Sequence, residues 1–415
     1  MKTWLASASF VTLAVVIALP AYAGTMAPAA DNALTQLLER GKQTHSDAVL
    51  VLQDGHELGH YYRNGNAPGP LELMSVTKSV VALGIGQLID QGKIKSLDQP
   101  VADFYPEWRQ GRKKDITLRM LLNHTSGLQD LRYTNVEVYP APDAIQLALA
   151  AELVSKPGTT AFYSNKAVNL LGGIIQKASG QPMDVFFGDG LFKAMGIQPG
   201  PWAKDQTGHP YAMAGLHLTA ADLAKLGQLV LNRGQWQGHQ LLSASFIASM
   251  LASSSMEGTY GLLWWRARQW THFAPDLASF DMLRQHGVPE ATVAQLQQGL
   301  QGAHFGSIDS MLAGLAKILG PHSRTIISQQ LVSRGIGPYR LFKVSYGPVV
   351  AYDGNGDGGQ YMVIVPQAGI VAVRQIDAET DQESPGEGYD DFITRVLTLA
   401  KASGRLAAPP PSDTP

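Results

Sequence analysis

The sequence predicts an α/β fold of the α+β type, an antiparallel sheet built from both ends of the chain with a mostly helical region hung between them. Two observations carry this expectation. Strand-like stretches bounded by turn residues occupy residues 48–62 and 348–376, and most of the chain from 73 to about 250 has helical patterning. Sequence-distant strands of this kind close most economically by pairing with one another, which leaves the helices as an insertion.

Taken in order, Asp31 is placed to cap a helix through Gly41. The apolar run Ala48 to Gln53, the turn Asp54-Gly55, the mixed run His56 to Tyr62 and the turn Asn64-Gly65 read as a β-hairpin. From Ser75 to about Gln91 the chain is apolar on nearly all sides, which predicts a buried helix ending at Gly92. Further helices are expected around Ile116 to Leu122, Ala144 to Leu153, Ala167 to Ser179 and Ala220 to Leu231. Pro348 to Tyr352, Tyr361 to Pro366 and Gly369 to Ile376 read as strands, and Asp391 to Ala402 as a closing helix. Residues 267–345 carry amphipathic runs near 276–283, 290–300 and 308–319 and read as an extra helical element spliced between two strands. There is no internal repeat.

Composition excludes several classes. The 415 residues are 45% hydrophobic and 16% charged, enough for a large core, and the formal net charge of -2 offers no basic footprint for nucleic acid. Met1-Lys2, an apolar run from Leu5 to Leu19 and Pro20-Ala21-Tyr22-Ala23-Gly24 form the three parts of a secretory signal, with cleavage expected after Ala23. The run is short for a membrane span, so a periplasmic or secreted protein without a membrane anchor is expected. With no cysteine, any nucleophile is an oxygen or a nitrogen.

Three motifs resemble chemistry. His56-Glu57-Leu58-Gly59-His60 fits the H-E-x-x-H of zinc peptidases, which needs a helix to bring both imidazoles to one metal. Here the flanking Asp54-Gly55 and Asn64-Gly65 turns place it on a strand, and no third ligand follows, so no metal is expected. Asp353-Gly-Asn355-Gly-Asp357-Gly358 opens like a calcium loop, but its twelfth position is Ile364 and a strand follows. Ser75-Val76-Thr77-Lys78 is the chain's single S-x-x-K. Lys78 falls in the first turn of the apolar helix, where the macrodipole disfavours a cation and no carboxylate stands at helical spacing. Such a lysine has a depressed pKa and can take the proton of a serine one turn away, while the helix N-terminus stabilises an oxyanion. The plain alternative is a solvent-reaching lysine and a capping serine.

With these residues in place, the chain resembles the serine β-lactamase and penicillin-binding-protein family, most closely its class C-like branch of carboxylesterases and amide hydrolases. The likeness runs in family order through LELMSVTKSVVALGIGQLID, ITLRMLLNHTSGL, KPGTTAFYSNKAVNLLGGIIQKASG, AGLHLTAADLAKLGQLVLNRG and GNGDGGQYMVIVP, over roughly 45–265 and 346–400. It implies the β-lactamase/transpeptidase-like fold, with Ser75 as acylated nucleophile, Lys78 as general base and Tyr163 as a second acid/base. It implies Asn165 as the residue that orients substrate and holds Lys78. Y-x-N also occurs at Tyr62-Arg63-Asn64 and Tyr133-Thr134-Asn135, and the preceding Pro157-Gly158-Thr159-Thr160 selects Tyr163. His124 is expected to be structural. The third motif departs from the family: relatives carry Lys-Thr-Gly, Lys-Ser-Gly or His-x-Gly, and Gly354, Asn355 and Gly356 stand here, with Asp357 or a neighbour offering a backbone N–H. His304-Phe305-Gly306 fits H-x-G but lies in the inserted region.

The expectation is an exported serine hydrolase that cleaves a small ester, amide or β-lactam-like substrate through an acyl-serine, without a cofactor. A class C-like β-lactamase or DD-peptidase and a non-catalytic ligand binder are the alternatives. The signal peptide is expected over 1–23, the hydrolase domain over 24–404 and a disordered Pro-rich tail over 405–415. Within the domain, sheet comes from about 45–72 and 250–404 and helices from about 73–250, and the insertion 267–345 is expected to cap or narrow the site.

Overall fold

The computed structural model describes residues 27–131, 133–377 and 389–407, so the expected signal peptide lies outside the described residues. Six strands, β1 (Ala48–Gln53), β2 (His56–Tyr62), β3 (Trp265–Arg268), β4 (Val349–Gly356), β5 (Gln360–Val365) and β6 (Ile370–Gln375), make one sheet. Its spatial order is β2-β1-β6-β5-β4-β3, antiparallel throughout. The two ends of the chain meet where β1 pairs with β6, Leu50 opposite Val373 and Val51 opposite Ala372.

Alternation along the central strands buries both faces of the sheet. Leu50, Met362, Ile364, Val371 and Val373 face the helical region, whereas Val49, Val51, Val363, Ile370 and Ala372 face the terminal helices. On the second face lie α1 (Pro28–Gln43) and α9 (Phe392–Ala402), which pack on each other. On the first lie α2 (Val76–Asp90) and α5 (Ala220–Leu231), and α4 (Asn165–Ser179) packs behind α2. A short α3 (Leu118–Leu122) precedes the turn that holds His124.

α2 is the centre of the first core. Its residues from Val76 to Gly86 are all buried, as its unbroken apolar sequence predicts. The two interior glycines are explained by packing: a Cβ at Gly84 would lie 2.5 Å from the Phe187 ring, and one at Gly86 would strike Phe246.

Several boundaries differ from the sequence expectation. α1 begins at Pro28, whose fixed φ suits the first helical position, so Asp31 lies inside the first turn and does not cap. The helix expected over 144–153 stops at Ala150, and Leu153 instead bridges Leu128. β4 continues four residues past Tyr352 to Gly356, so the calcium-like stretch is largely strand, with Asp353 buried in it. HELGH is β2, as expected, with His60 bonded to Glu57 and stacked on Tyr62.

The insertion holds the expected helices α6 (Leu277–Gln285), α7 (Glu290–Gly299) and α8 (Ile308–Leu319) around a core of its own, including Phe280, Leu283, Leu296 and Leu315. An unforeseen ribbon, Thr271–Pro275 paired with Phe342–Tyr346, closes its base. At the C-terminus Arg405 pairs with Asp54 and Leu406 is buried, so these residues of the expected tail are packed on the domain, while 408–415 lie outside the described residues.

Replacing Gly84 with alanine should lower stability despite alanine's better helix propensity, because overpacking against Phe187 costs about 1–3 kcal/mol. Thermal melts of Gly84→Ala should show a clear fall in Tm, and an unchanged Tm would mean the Phe187 contact is not tight.

Candidate active site

Ser75 is the N-cap residue of α2, but its side chain makes no capping bond. Its Oγ lies 2.8 Å from Lys78 Nζ, so the plain reading of a capping serine fails. The preceding Met74 has φ 46, a left-handed conformation that a non-glycine residue adopts at a cost, and the strain falls at the residue that presents Ser75. The Ser75 cavity, about 590 Å³, is lined by Met74, Ser75, Tyr133, Thr134, Asn135, Tyr139, Asn165, Met213, Ala214 and Asp357.

Lys78 is 1% exposed and does not reach solvent. Besides Ser75 it donates to the carbonyl of Met213 at 2.7 Å, and its Nζ sits 5.1 Å from the centroid of the Tyr163 ring. Burial lowers its pKa from the usual lysine range, with Tyr163 and then Asp130 opposing the shift. A neutral amine in this position keeps an N–H for Met213 and turns its lone pair to the Ser75 hydroxyl. The tether is therefore a backbone carbonyl, where the resemblance assigned the holding of Lys78 to Asn165. Asn165 opens α4 and lines the cavity.

Tyr163 lies in hydrogen-bonding reach of Lys78 and is wedged between the His124 ring, 4.4 Å away, and Trp265, stacked at 6.2 Å. His124 is structural, as expected, and its position explains how. Its Nδ1 accepts the N–H of Ser164 at 3.1 Å, which leaves Nε2 to donate to the Tyr260 hydroxyl at 3.1 Å. Burial, reinforced by nearby Lys78, drops the His124 pKa to about 3, so the ring is neutral and holds one tautomer.

Sequence reasoning missed the polar frame under Tyr163. Asp130 Oδ2 accepts from Ser164 Oγ at 2.7 Å and from the N–H of Lys166 at 2.8 Å. Lys166 is buried and reaches Gln129 and Glu137, the latter at 2.6 Å. These bonds clamp the Tyr163–Asn165 corner to the 129–137 loop. The only available sequence signal was an aspartate shortly after the LLNHTSGL turn, and spacing gave it no role. The Tyr133-Thr134-Asn135 match, passed over in favour of the one that follows Pro157-Gly158-Thr159-Thr160, contributes both Tyr133 and Asn135 to the cavity wall, whereas Tyr62 lies on β2.

At the third motif, glycine is required by close approach. A Cβ at Gly356 would lie 2.7 Å from the Leu73 carbonyl and 2.9 Å from Ser75 N, and one at Gly354 would lie 2.7 Å from Ser79 Oγ. The strand thus presses bare backbone on the α2 N-terminus. Asn355 donates its carboxamide N–H to Asp353, 3.1 Å away on the same face of β4 and opposite the face of Gly354 and Gly356, so a substrate contact through that side chain is not what the structure presents. Asp357 lines the cavity. The insertion contributes none of the cavity's described lining residues, which corrects the expectation that it caps the site: the wall comes from 133–139. A separate cavity of about 570 Å³ lies among the insertion's own helices, including Leu277, Phe280 and His304.

Asp143, Asp205 and His209 bring ligand atoms within 4.8 Å of one another, but their oxygens already serve the local backbone. Asp143 caps the Ala144–Ala150 helix, and Asp205 accepts from Thr207, His209 and Ala144. They are a loop staple.

A sheet covered by helices on both faces and an S-x-x-K serine at a buried helix N-terminus define a β-lactamase-related serine hydrolase. Residues 30–389 match the Beta-lactamase family model, and the chain belongs to that family. Among similar proteins, the 6-aminohexanoate-dimer hydrolase of Paenarthrobacter ureafaciens is 28% identical over 276 residues, covering 56% of this chain and 67% of the relative. Esterase EstB of Burkholderia gladioli is 31% identical over 135 residues, 27% of this chain and 33% of EstB. A penicillin-binding-protein homologue from Caulobacter crescentus shares the fold with TM-score 0.57 at 17% identity, covering 92% of this chain and 99% of that one.

Two outcomes test the electrostatics. If Lys78 must be neutral to act, the rate of Ser75 acylation should rise with pH through a midpoint below the ordinary lysine value, and Lys78→Arg should lose roughly a hundredfold or more. A pH-independent rate across that range would refute the base assignment. Asp353 is pushed up to about 7 by burial, so between about pH 4 and pH 7 the folded state keeps a proton that the unfolded state has lost. Stability should fall as pH rises through that window, and Asp353→Asn should raise Tm at alkaline pH with a gain that shrinks towards acid. Parallel melts across the pH range check the sign.

Proposed function

We propose that the protein is an exported hydrolase that cleaves a carboxylic ester or amide through an acyl-Ser75 intermediate. The observation that carries this reading is a buried amine of lowered pKa, Lys78, 2.8 Å from a serine oxygen at a helix N-terminus that opens into a cavity. Lys78 takes the Ser75 proton as Oγ attacks the substrate carbonyl carbon. The oxyanion is stabilised by the α2 N-terminus and by the β4 backbone pressed against it. Collapse of the tetrahedral adduct breaks the bond to the leaving alcohol or amine, which receives a proton through Tyr163. Water then attacks the acyl-serine by the same route in reverse, releasing the acid and restoring Ser75.

The names of the relatives, a 6-aminohexanoate-dimer hydrolase and an esterase, support a hydrolase of small acyl substrates. A β-lactamase or DD-peptidase reading is weaker, because a carboxylate-bearing substrate needs a cation where this cavity offers Asp357. Export rests on the signal-like N-terminus, and Gly24 as the first residue of secreted protein would support it.

Intact-protein mass spectrometry after brief exposure to a panel of p-nitrophenyl esters and β-lactams tests the chemistry. An acyl adduct is expected on wild-type protein and absent from Ser75→Ala. Hydrolysis that survives Ser75→Ala would sink the proposal, and labelling by penicillin with fast nitrocefin turnover would favour the β-lactamase reading.

A further inference from the structure

We infer that the Ser75 cavity selects substrates bearing a protonated amine, held by the carboxylate of Asp357 against the rings of Tyr139 and Tyr133, with the Glu72 carboxylate adding its field from outside the lining. This deepens the hydrolase reading and rests on it.

The inference starts from charge. Asp357 is the one acidic residue among the described residues lining the cavity, which include no lysine, arginine or histidine, and it follows Gly356, whose backbone lies against Ser75. Glu72 stands three residues before the nucleophile, on the short ribbon that leads into α2. Neither carboxylate has a salt-bridge partner among the described residues, although most acidic groups around the site are engaged: Glu137 with Lys166, and Asp130 with Ser164 and the Lys166 backbone. The nearby cations are committed elsewhere: Lys78 is buried beneath the serine with its charged form disfavoured, and Arg374 donates to the carbonyls of Gly358, Gly359 and Thr44.

The second observation is the aromatic wall. Tyr133 and Tyr139 line the same cavity and are 66% and 41% exposed, and Tyr139 is braced edge to face by Tyr211 at 5.3 Å. Glu72 and Asp357 both lie within electrostatic range of Tyr139: after burial, Glu72, Tyr211 and Asp357 raise its hydroxyl to about 12. Aromatic faces beside unpaired carboxylates form a setting that attracts an ammonium group by charge and by the ring quadrupole. A carboxylate entering the same space meets like charge and no cationic side chain among the described lining residues, so one arrangement favours the cation and disfavours the anion.

The test uses wild-type protein and Asp357→Asn and Glu72→Gln variants with two matched ester series. One places the charge in the acyl chain, as ω-aminohexanoyl, hexanoyl and adipoyl p-nitrophenyl esters. The other places it in the alcohol, as aminoalkyl, alkyl and carboxyalkyl butyrates. In at least one series the ratio of kcat/KM for the cationic over the neutral ester should exceed one, and Asp357→Asn should reduce that ratio roughly tenfold. Because the ratio is taken within each variant, any loss common to both substrates cancels, and Glu72→Gln serves if the other variant does not fold. Added salt should shrink the wild-type preference. Hydrolysis of the neutral esters with ratios in both series that neither variant changes overturns this inference alone. Failure of wild type to hydrolyse or be acylated by any ester overturns the hydrolase reading and the inference with it.

Discussion

The arrangement depends on keeping the amine of Lys78 out of water. An ammonium at the first turn of a helix faces the positive end of the macrodipole, and full burial adds the loss of hydration. Both effects favour the neutral form, which is the form that can accept a proton from Ser75. The surrounding structure maintains that state: the apolar length of α2 seals the floor, the Met213 carbonyl orients the nitrogen, and the Tyr163 ring covers it. Tyr163 and then Asp130 work the other way, so the proton affinity of Lys78 is a balance between burial and these two groups.

Around that centre, positions are set by backbone contacts. Gly354 and Gly356 let β4 run against the start of α2, and Gly84 and Gly86 let the same helix sink against aromatic rings. Buried Arg374 on β6 donates to the carbonyls of Gly358, Gly359 and Thr44, which ties the β4–β5 turn beside Asp357 to the loop after α1. The turn that carries the cavity's charge is thus fastened to the sheet. His124 does similar duty for Tyr163, using a neutral ring whose two nitrogens are both committed.

Much of this was legible beforehand, and the reason differs by element. The hairpin of β1 and β2 announced itself through Asp54-Gly55, whose left-handed backbone the structure contains, and through the apolar run of its first strand, buried from Ala48 to Val51. α2 was legible because a helix buried on all sides has no polar face to obscure it. Helix ends were less so, since Leu153 and Pro28 respond to a tertiary bridge and to proline geometry that periodicity does not encode. The ribbon at the base of the insertion escaped notice because its two strands are far apart in sequence and short.

By itself, the sequence determined which groups could react and in what local setting: Ser75 and Lys78 one turn apart on an apolar helix, and the absence of a lysine at the third motif. Those are properties of neighbours along the chain, where spacing is geometry. Tertiary structure decided which distant groups complete the site. Asp130, Met213, the Tyr133–Tyr139 wall and the unpaired carboxylate of Asp357 converge on Ser75 from separate loops. Their approach follows from packing the helical region onto the sheet, which no local pattern records.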